Sequence, residues 1–194
     1  MLQPDILQIA LRVARVLEEI GASYRIGGSL ASSAFGVARA TLDVDLVADL
    51  KPEHTEPLVA RLKKEFYISP EAVRDAIRQQ SSFNLIHLES MFKVDIFVLK
   101  SHPFNQQAFR RGVRRMMDAE GKHEVYFTAP EDIILQKLEW YHQGGEVSER
   151  QWQDVLGVLK VQADRLDLAY LTQWAAQLNL TTFLNKALRE AGLT

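Results

Sequence analysis

The sequence predicts an α+β protein, a mixed β-sheet flanked by helices with a helical part at its C-terminal end. Three observations carry this expectation. Residues 42–47, 82–89 and 92–99 have the short, apolar or alternating character of strands. The stretches between them repeat apolar residues at helical spacing. From Thr128 onward the period is helical, which divides the chain into a sheet-bearing core, residues 1–128, and a helical region, residues 129–194.

The chain has 194 residues, 47% hydrophobic and 25% charged, which suits one domain, or one domain with a helical extension, that can bury a substantial core. Its net charge of −2 supplies no global field for nucleic acid or membrane, so any polyanion contact has to be local. The absence of cysteine excludes disulfides and thiolate zinc sites and fits a reducing cytoplasm, the expected location. Asp5, Arg12, Arg15 and Glu18 interrupt the apolar residues of the first segment, which reads as an amphipathic helix rather than a signal peptide. No run is long enough to span a bilayer, so no membrane partner is expected.

In that first helix Ile6, Ile9, Ala10, Val13, Leu17 and Ile20 share a face until Gly21 ends it. Tyr24, Arg25 and Ile26 form a short strand signal that runs into Gly27, Gly28 and Ser29. Ser29 stands where a helix begins, ahead of the small residues 30–38. In residues 42–47 the alternation sends Asp43 and Asp45 to one face and Leu42, Val44 and Leu46 to a core. Two neighbouring carboxylates repel, and apolar surroundings make their ionised forms costlier. A hard divalent cation such as Mg²⁺ (or Mn²⁺) relieves both problems and keeps waters for a phosphate. The Gly-Ser turn offers free N–H groups at a helix start, a cradle for phosphate oxygens. Together they suggest a nucleotide.

Residues 52–65 and the segment opened by Ser69 and Pro70 read as scaffold helices, with Leu58, Val59, Leu62 and Phe66 inward. Residues 82–89 and 92–99 form a hairpin across Ser90 and Met91. His87 in its first strand reads as structural. Asp95 interrupts the apolar run 94–98, and a carboxylate there needs a partner or a metal. Lys93, on the same face, is the alternative partner; the metal is the preferred reading. Arg110, Arg111, Arg114 and Arg115 could touch an RNA backbone, although such runs are usually solvated faces and no aromatic platform accompanies them. Residues 123–127 read as a last strand.

Thr128, Ala129, Pro130 and Glu131 read as a capping box, which explains Glu131 as a helix clamp. Lys137 then falls on the buried stripe of Ile133, Ile134, Leu138 and Tyr141, where its ammonium needs an anion, and a nucleotide phosphate would serve. Gly144 and Gly145 break this helix, and residues 148–151 cap the next, which buries Trp152, Val155, Leu156 and Leu159. Asp154 lies beside that face, where the plain account pairs it with Arg150. Two further helices follow in the tail.

The Gly28-Ser29 turn, the helix-length spacer and Asp43-Val44-Asp45-Leu46 resemble the pattern of the nucleotidyltransferase superfamily related to DNA polymerase beta. Within it, the run from Arg39 through Thr41 to Asp45 is similar to that of the AbiEii/AbiGii toxin-type nucleotidyltransferases, which are usually longer than this chain. Val94-Asp95-Ile96 looks like the superfamily's third carboxylate element. Pro130-Glu131-Asp132, Lys137, Arg150 and Asp154 follow the order of the toxins' later signature. The resemblance implies transfer of an NMP from an NTP, with Asp43, Asp45 and Asp95 on the metal. It gives Gly27, Gly28, Ser29, Arg39 and Thr41 to the nucleotide, Lys137 to its phosphates, and Asp154 to orienting Lys137 or the acceptor. It leaves open a tRNA, protein or small-molecule acceptor and a cognate antitoxin. The competing reading is a nucleotidyltransferase-like antitoxin or regulatory binding protein with little or no catalysis.

Overall fold

The computed structural model describes residues 4–117 and 124–193. The helices are α1 (Pro4–Glu19), α2 (Gly28–Phe35), α3 (Thr55–Leu62), α4 (Pro70–Gln79), α5 (Pro103–Arg110), α6 (Pro130–Gln143), α7 (Glu149–Gln162), α8 (Leu168–Gln177) and α9 (Thr181–Ala191). The strands are β1 (Tyr24–Ile26), β2 (Asp43–Ala48), β3 (Phe66–Tyr67), β4 (Ser82–His87), β5 (Lys93–Val98), β6 (Val113–Met116) and β7 (Glu124–Phe127). They make one mixed sheet in the order β3-β4-β5-β2-β1-β7-β6. The expected α+β architecture is therefore present, and no helix among the described residues is long and apolar enough to cross a membrane.

The centre of the sheet positions the site. β2 and β5 are parallel neighbours, and β1 runs antiparallel on the other side of β2. Alternation then splits β2 cleanly. Val44, Leu46 and Ala48 are fully buried, as are Val94 and Ile96 of β5, while Asp43, Asp45 and Asp95 look out from the opposite face. On α1, Ile6, Val13 and Leu17 are completely buried, each contributing about 1.5–3 kcal/mol through removal from water. Ser69 caps α4 by accepting from the Ala72 N–H, and Ser148 caps α7 by accepting from that of Gln151.

Some expectations are corrected. Leu42 precedes β2 and is 67% exposed, because the pleat that would turn it inward begins only at Asp43. Phe66 is buried as expected, but from the short strand β3 beside β4, and the helix expected over residues 52–65 stops at Leu62. The cap at the start of α6 is not a capping box: Ala129 is the N-cap and no side chain caps it. Glu131 instead receives hydrogen bonds from Arg111 at 2.8 Å and from the backbone N–H of Asp167 at 3.0 Å, tying the sheet's arginine segment to the start of α8. The last strand begins at Glu124, and His123 lies outside the described residues.

Candidate functional site

Register sets the three aspartates on one face of the sheet. In the β2–β5 ladder Asp45 lies directly opposite Asp95, and Asp43 is opposite Lys93. Asp43, Asp45 and Asp95 therefore share one face within two residues of each other along the strands. Each has a protein partner. Thr41, itself buried, donates its hydroxyl to Asp43 Oδ1 at 2.6 Å. Lys93 Nζ is 2.7 Å from Asp95 Oδ2, the alternative that the sequence allowed. Among the described residues no three His, Cys, Asp or Glu side chains are gathered as a ready metal site.

Asp45 is the most perturbed of the three. Burial pushes its carboxyl up to about 6, the nearby charges of Asp43 and Asp95 add to that, and Lys137 and the Ser29 backbone N–H oppose it. Its side chain lies against Gly28, which has φ +52; a Cβ there would stand 1.7 Å from Asp45 Oδ2. Gly27 donates its N–H to the Asp45 carbonyl at 2.9 Å, which locks the bend onto β2. Only glycine fits at position 28, for its left-handed backbone and for the close approach of the carboxylate.

The second half of the site is a charge network that joins the sheet to the helical region. Arg39 clamps Asp154 with two hydrogen bonds, Nε to Oδ1 at 2.7 Å and Nη2 to Oδ2 at 2.8 Å. Its Nη2 also donates to Ser29 Oγ at 2.7 Å. Lys137 donates to Asp154 Oδ2 at 2.8 Å, with the two side chains only 3% and 5% exposed. Asp154 is thus the anion that the buried lysine needs. Burial lowers the Lys137 pKa, while Asp154 and Asp45 act to hold its proton. Burial alone would raise Asp154, but hydrogen bonds from Arg39 and Lys137 outweigh it and its pKa falls. The expected Arg150–Asp154 pair does not form; the Arg150 guanidinium reaches Ser29 Oγ at 3.5 Å instead.

Beside Asp45 opens a cleft with a volume of ≈ 130 Å³, walled by Gly28, Asp45 and Phe97 from the bend and sheet, Asn105 from α5, and Glu139 and Trp140 from α6. The Phe97 and Trp140 rings are 6.4 Å apart at its side. Sequence reasoning missed this wall, because no motif singles out Glu139 or Trp140. The arginine cluster is mostly used internally. Arg111 pairs with Glu131 and Asp132 and lies over the Tyr170 ring, Arg114 meets Tyr126 and Glu124, and Arg115 covers Phe35. That engagement weakens the RNA-backbone reading of these side chains.

The sequence matches no protein-family profile and no curated protein. Its fold has counterparts among solved structures. An antigenic nucleotidyltransferase-like protein from Paracoccidioides brasiliensis is similar with a TM-score of 0.55 at 20% identity, covering 93% of this chain and 93% of that one. The antibiotic-resistance factor ANT(2'')-Ia gives 0.56 at 14% identity, over 89% of this chain and 95% of that one. The lincosamide antibiotic adenylyltransferase LnuA, with lincomycin bound, gives 0.50 at 14% identity, over 82% and 98%. At such identities the likeness establishes the fold, a mixed sheet with flanking helices as in nucleotidyltransferase-like structures.

Proposed function

We propose that this chain is a metal-dependent nucleotidyltransferase that moves an NMP from an NTP to an acceptor hydroxyl. The observation that carries the reading is the register of Asp45 against Asp95, with Asp43 on the same face and the glycine bend pressed against Asp45. The donor set suits a hard cation in its chemistry, since three carboxylates on one sheet face offer oxygen ligands, and a cation would offset the cost that burial and the charges of Asp43 and Asp95 place on ionised Asp45. Asp43, Asp45 and Asp95 would hold Mg²⁺ (or Mn²⁺), which when bound neutralises phosphate charge and polarises the reacting phosphoryl group.

The chain's own residues supply the rest. Gly27, Gly28 and Ser29 form the bend against which the triphosphate would lie, with the Gly27 and Ser29 N–H groups themselves turned to Asp45. Arg39 and Lys137, held in place by Asp154, neutralise charge as pyrophosphate leaves. Thr41 fixes the Asp43 carboxylate. The acceptor oxygen bonds to the α-phosphorus, the bond to the bridging oxygen of the leaving pyrophosphate breaks, and the hydroxyl proton passes to Asp95, or to bulk water where Asp95 is engaged by the cation.

ATP is the preferred donor because a structural neighbour is an adenylyltransferase. The Arg39-to-Asp45 run supports kinship with the AbiEii-type toxins, and with it a cognate antitoxin as partner and a tRNA or protein acceptor. The walled cleft beside Asp45 favours a small-molecule acceptor over both. The test is pyrophosphate release from each NTP with Mg²⁺, with and without small-molecule extract or RNA. Release that depends on one acceptor fraction supports the reading; nucleotide binding without release under any of them supports the binding-protein alternative.

A further inference from the structure

Arg25 is a half-buried cation that the chemistry above does not use. It stands opposite Val47 in the β1–β2 ladder, and Val47 stands opposite Phe97, so Arg25 occupies the next row of the site face beyond Asp45 and Asp95. Its guanidinium carbon lies 4.4 Å from the Phe109 ring centre and 4.9 Å from that of Tyr126, and its stem runs over Gly112, where a Cβ would come within 1.8 Å of Nε. Nη1 donates to the Tyr24 carbonyl, while Nε is buried with no partner. Among the described residues no carboxylate pairs with Arg25, and burial lowers its pKa. The buried Nε is a donor left without an acceptor, which an anion would supply.

A cavity of ≈ 20 Å³ lies against it, lined by Arg25, Val47, Asn105, Thr128 and Gln136 among others. Val47, Asn105 and Gln136 also line the cleft that begins at Asp45, so the small cavity adjoins that cleft. Space of this size admits one small polar group, not a ring. Its walls carry a cation and two side-chain amides, a set that recognises a carboxylate by charge-assisted hydrogen bonds. The donor's phosphates belong elsewhere, with Ser29, Arg39 and Lys137 on the side where α7 meets α2.

We propose that Arg25, with Asn105 and Gln136, receives a carboxylate of the acceptor, so that the molecule accepting the nucleotide is a small hydroxy acid. This assignment rests on the nucleotidyl-transfer reading for the word acceptor, but the anion site stands or falls separately. One end of such a molecule would present its hydroxyl near Asp45 and Asp95, and the other its charge at Arg25. The aromatic pair Phe97 and Trp140 would flank its body.

The probes are acetate and its neutral counterpart acetamide, titrated into the whole protein while the side-chain amide signals of Asn105 and Gln136 are followed by NMR. Acetate should shift both signals and bind about tenfold more tightly than acetamide, the difference expected for hydrogen bonds to a charged group. Arg25→Gln should abolish the acetate shifts, Arg25→Lys should weaken them, and affinity for a non-hydrolysable ATP analogue with Mg²⁺ should change less than about twofold in either. The acetate shifts should persist with the analogue bound. Equal binding of acetate and acetamide, or no shift in the wild-type protein, overturns the site without any variant having to fold. Competition between acetate and the analogue returns the anion site to the donor and overturns its assignment to the acceptor. Failure of the analogue to bind while acetate still shifts both signals would instead overturn the transfer reading and, with it, the word acceptor.

Discussion

The Lys137 ammonium and the Asp154 carboxylate meet at 2.8 Å across the α6–α7 packing, and Arg39 reaches the same carboxylate from the segment between α2 and β2. The helical region is thereby tied to the site by charge as well as by apolar packing. Removing one member of a buried pair strands the other, which typically costs about 3–5 kcal/mol. Asp154→Asn should therefore lower unfolding free energy by about 3 kcal/mol, and adding Lys137→Met should recover part of that loss. Urea denaturation of the three proteins checks it; an Asp154→Asn variant as stable as wild type would mean that the pair is solvated and incidental.

Asp45 is held ionised at neutral pH against its surroundings. Its folded-state pKa, about 6, lies above the usual carboxylate value, so its favourable contribution is complete at low pH and is lost as pH rises through 6. In protein stripped of metal at pH 7.5, Asp45→Asn should melt at an equal or higher temperature than wild type, while NTP turnover disappears. Thermal melts in a chelator check the first half. A clear drop in melting temperature would make the aspartate cluster a structural device.

A second buried acid gives the protein its own pH dependence. Burial pushes Asp132 up to about 6, although Tyr170 and Arg111 both donate to it and pull the other way. The sign is the same as for Asp45: stability from this group is present near pH 4 and is lost as pH rises through 6, a change on the order of 2–3 kcal/mol. Asp132→Asn should remove that slope. Urea midpoints measured at intervals from pH 4.5 to 7.5 should show the wild-type and variant curves converging or crossing; parallel curves would contradict the assignment.

Gly28→Ala places a methyl group where the Asp45 carboxylate now lies, on a backbone with positive φ. The strain alone should cost about 1–3 kcal/mol, and the displaced carboxylate should cost activity out of proportion to stability. Turnover measured well below the variant's melting temperature separates the two; turnover at the wild-type rate would show that the bend does not need to touch Asp45.

Much of this was legible in the residues. The alternation in residues 42–47 and the isolated Asp95 in an apolar run fixed which side chains share a face, because strand period leaves little choice. Lys137 stood out as a cation on a buried stripe, and the structure supplies its anion in Asp154. What could not be read was long-range pairing. Arg39 and Asp154 are far apart in sequence, and the local Arg150 offered a nearer partner that the helix geometry does not use. Glu131 looked like a cap because nothing local reveals that Arg111 and the start of α8 compete for it. Arg25 gave no signal at all, since its isolation depends on which rings and which glycine the topology packs around it.

The most direct test of the account is a Mn²⁺ titration read by electron paramagnetic resonance, with a non-hydrolysable ATP analogue present, on wild-type protein and on Asp45→Asn and Asp95→Asn variants. Wild-type protein should take up the ion together with the nucleotide, and each variant should lose at least about tenfold in ion affinity, in line with removal of a carboxylate ligand. Ion uptake unchanged in both variants, or nucleotide binding indifferent to the ion, would contradict a cation site built on the facing aspartates of β2 and β5.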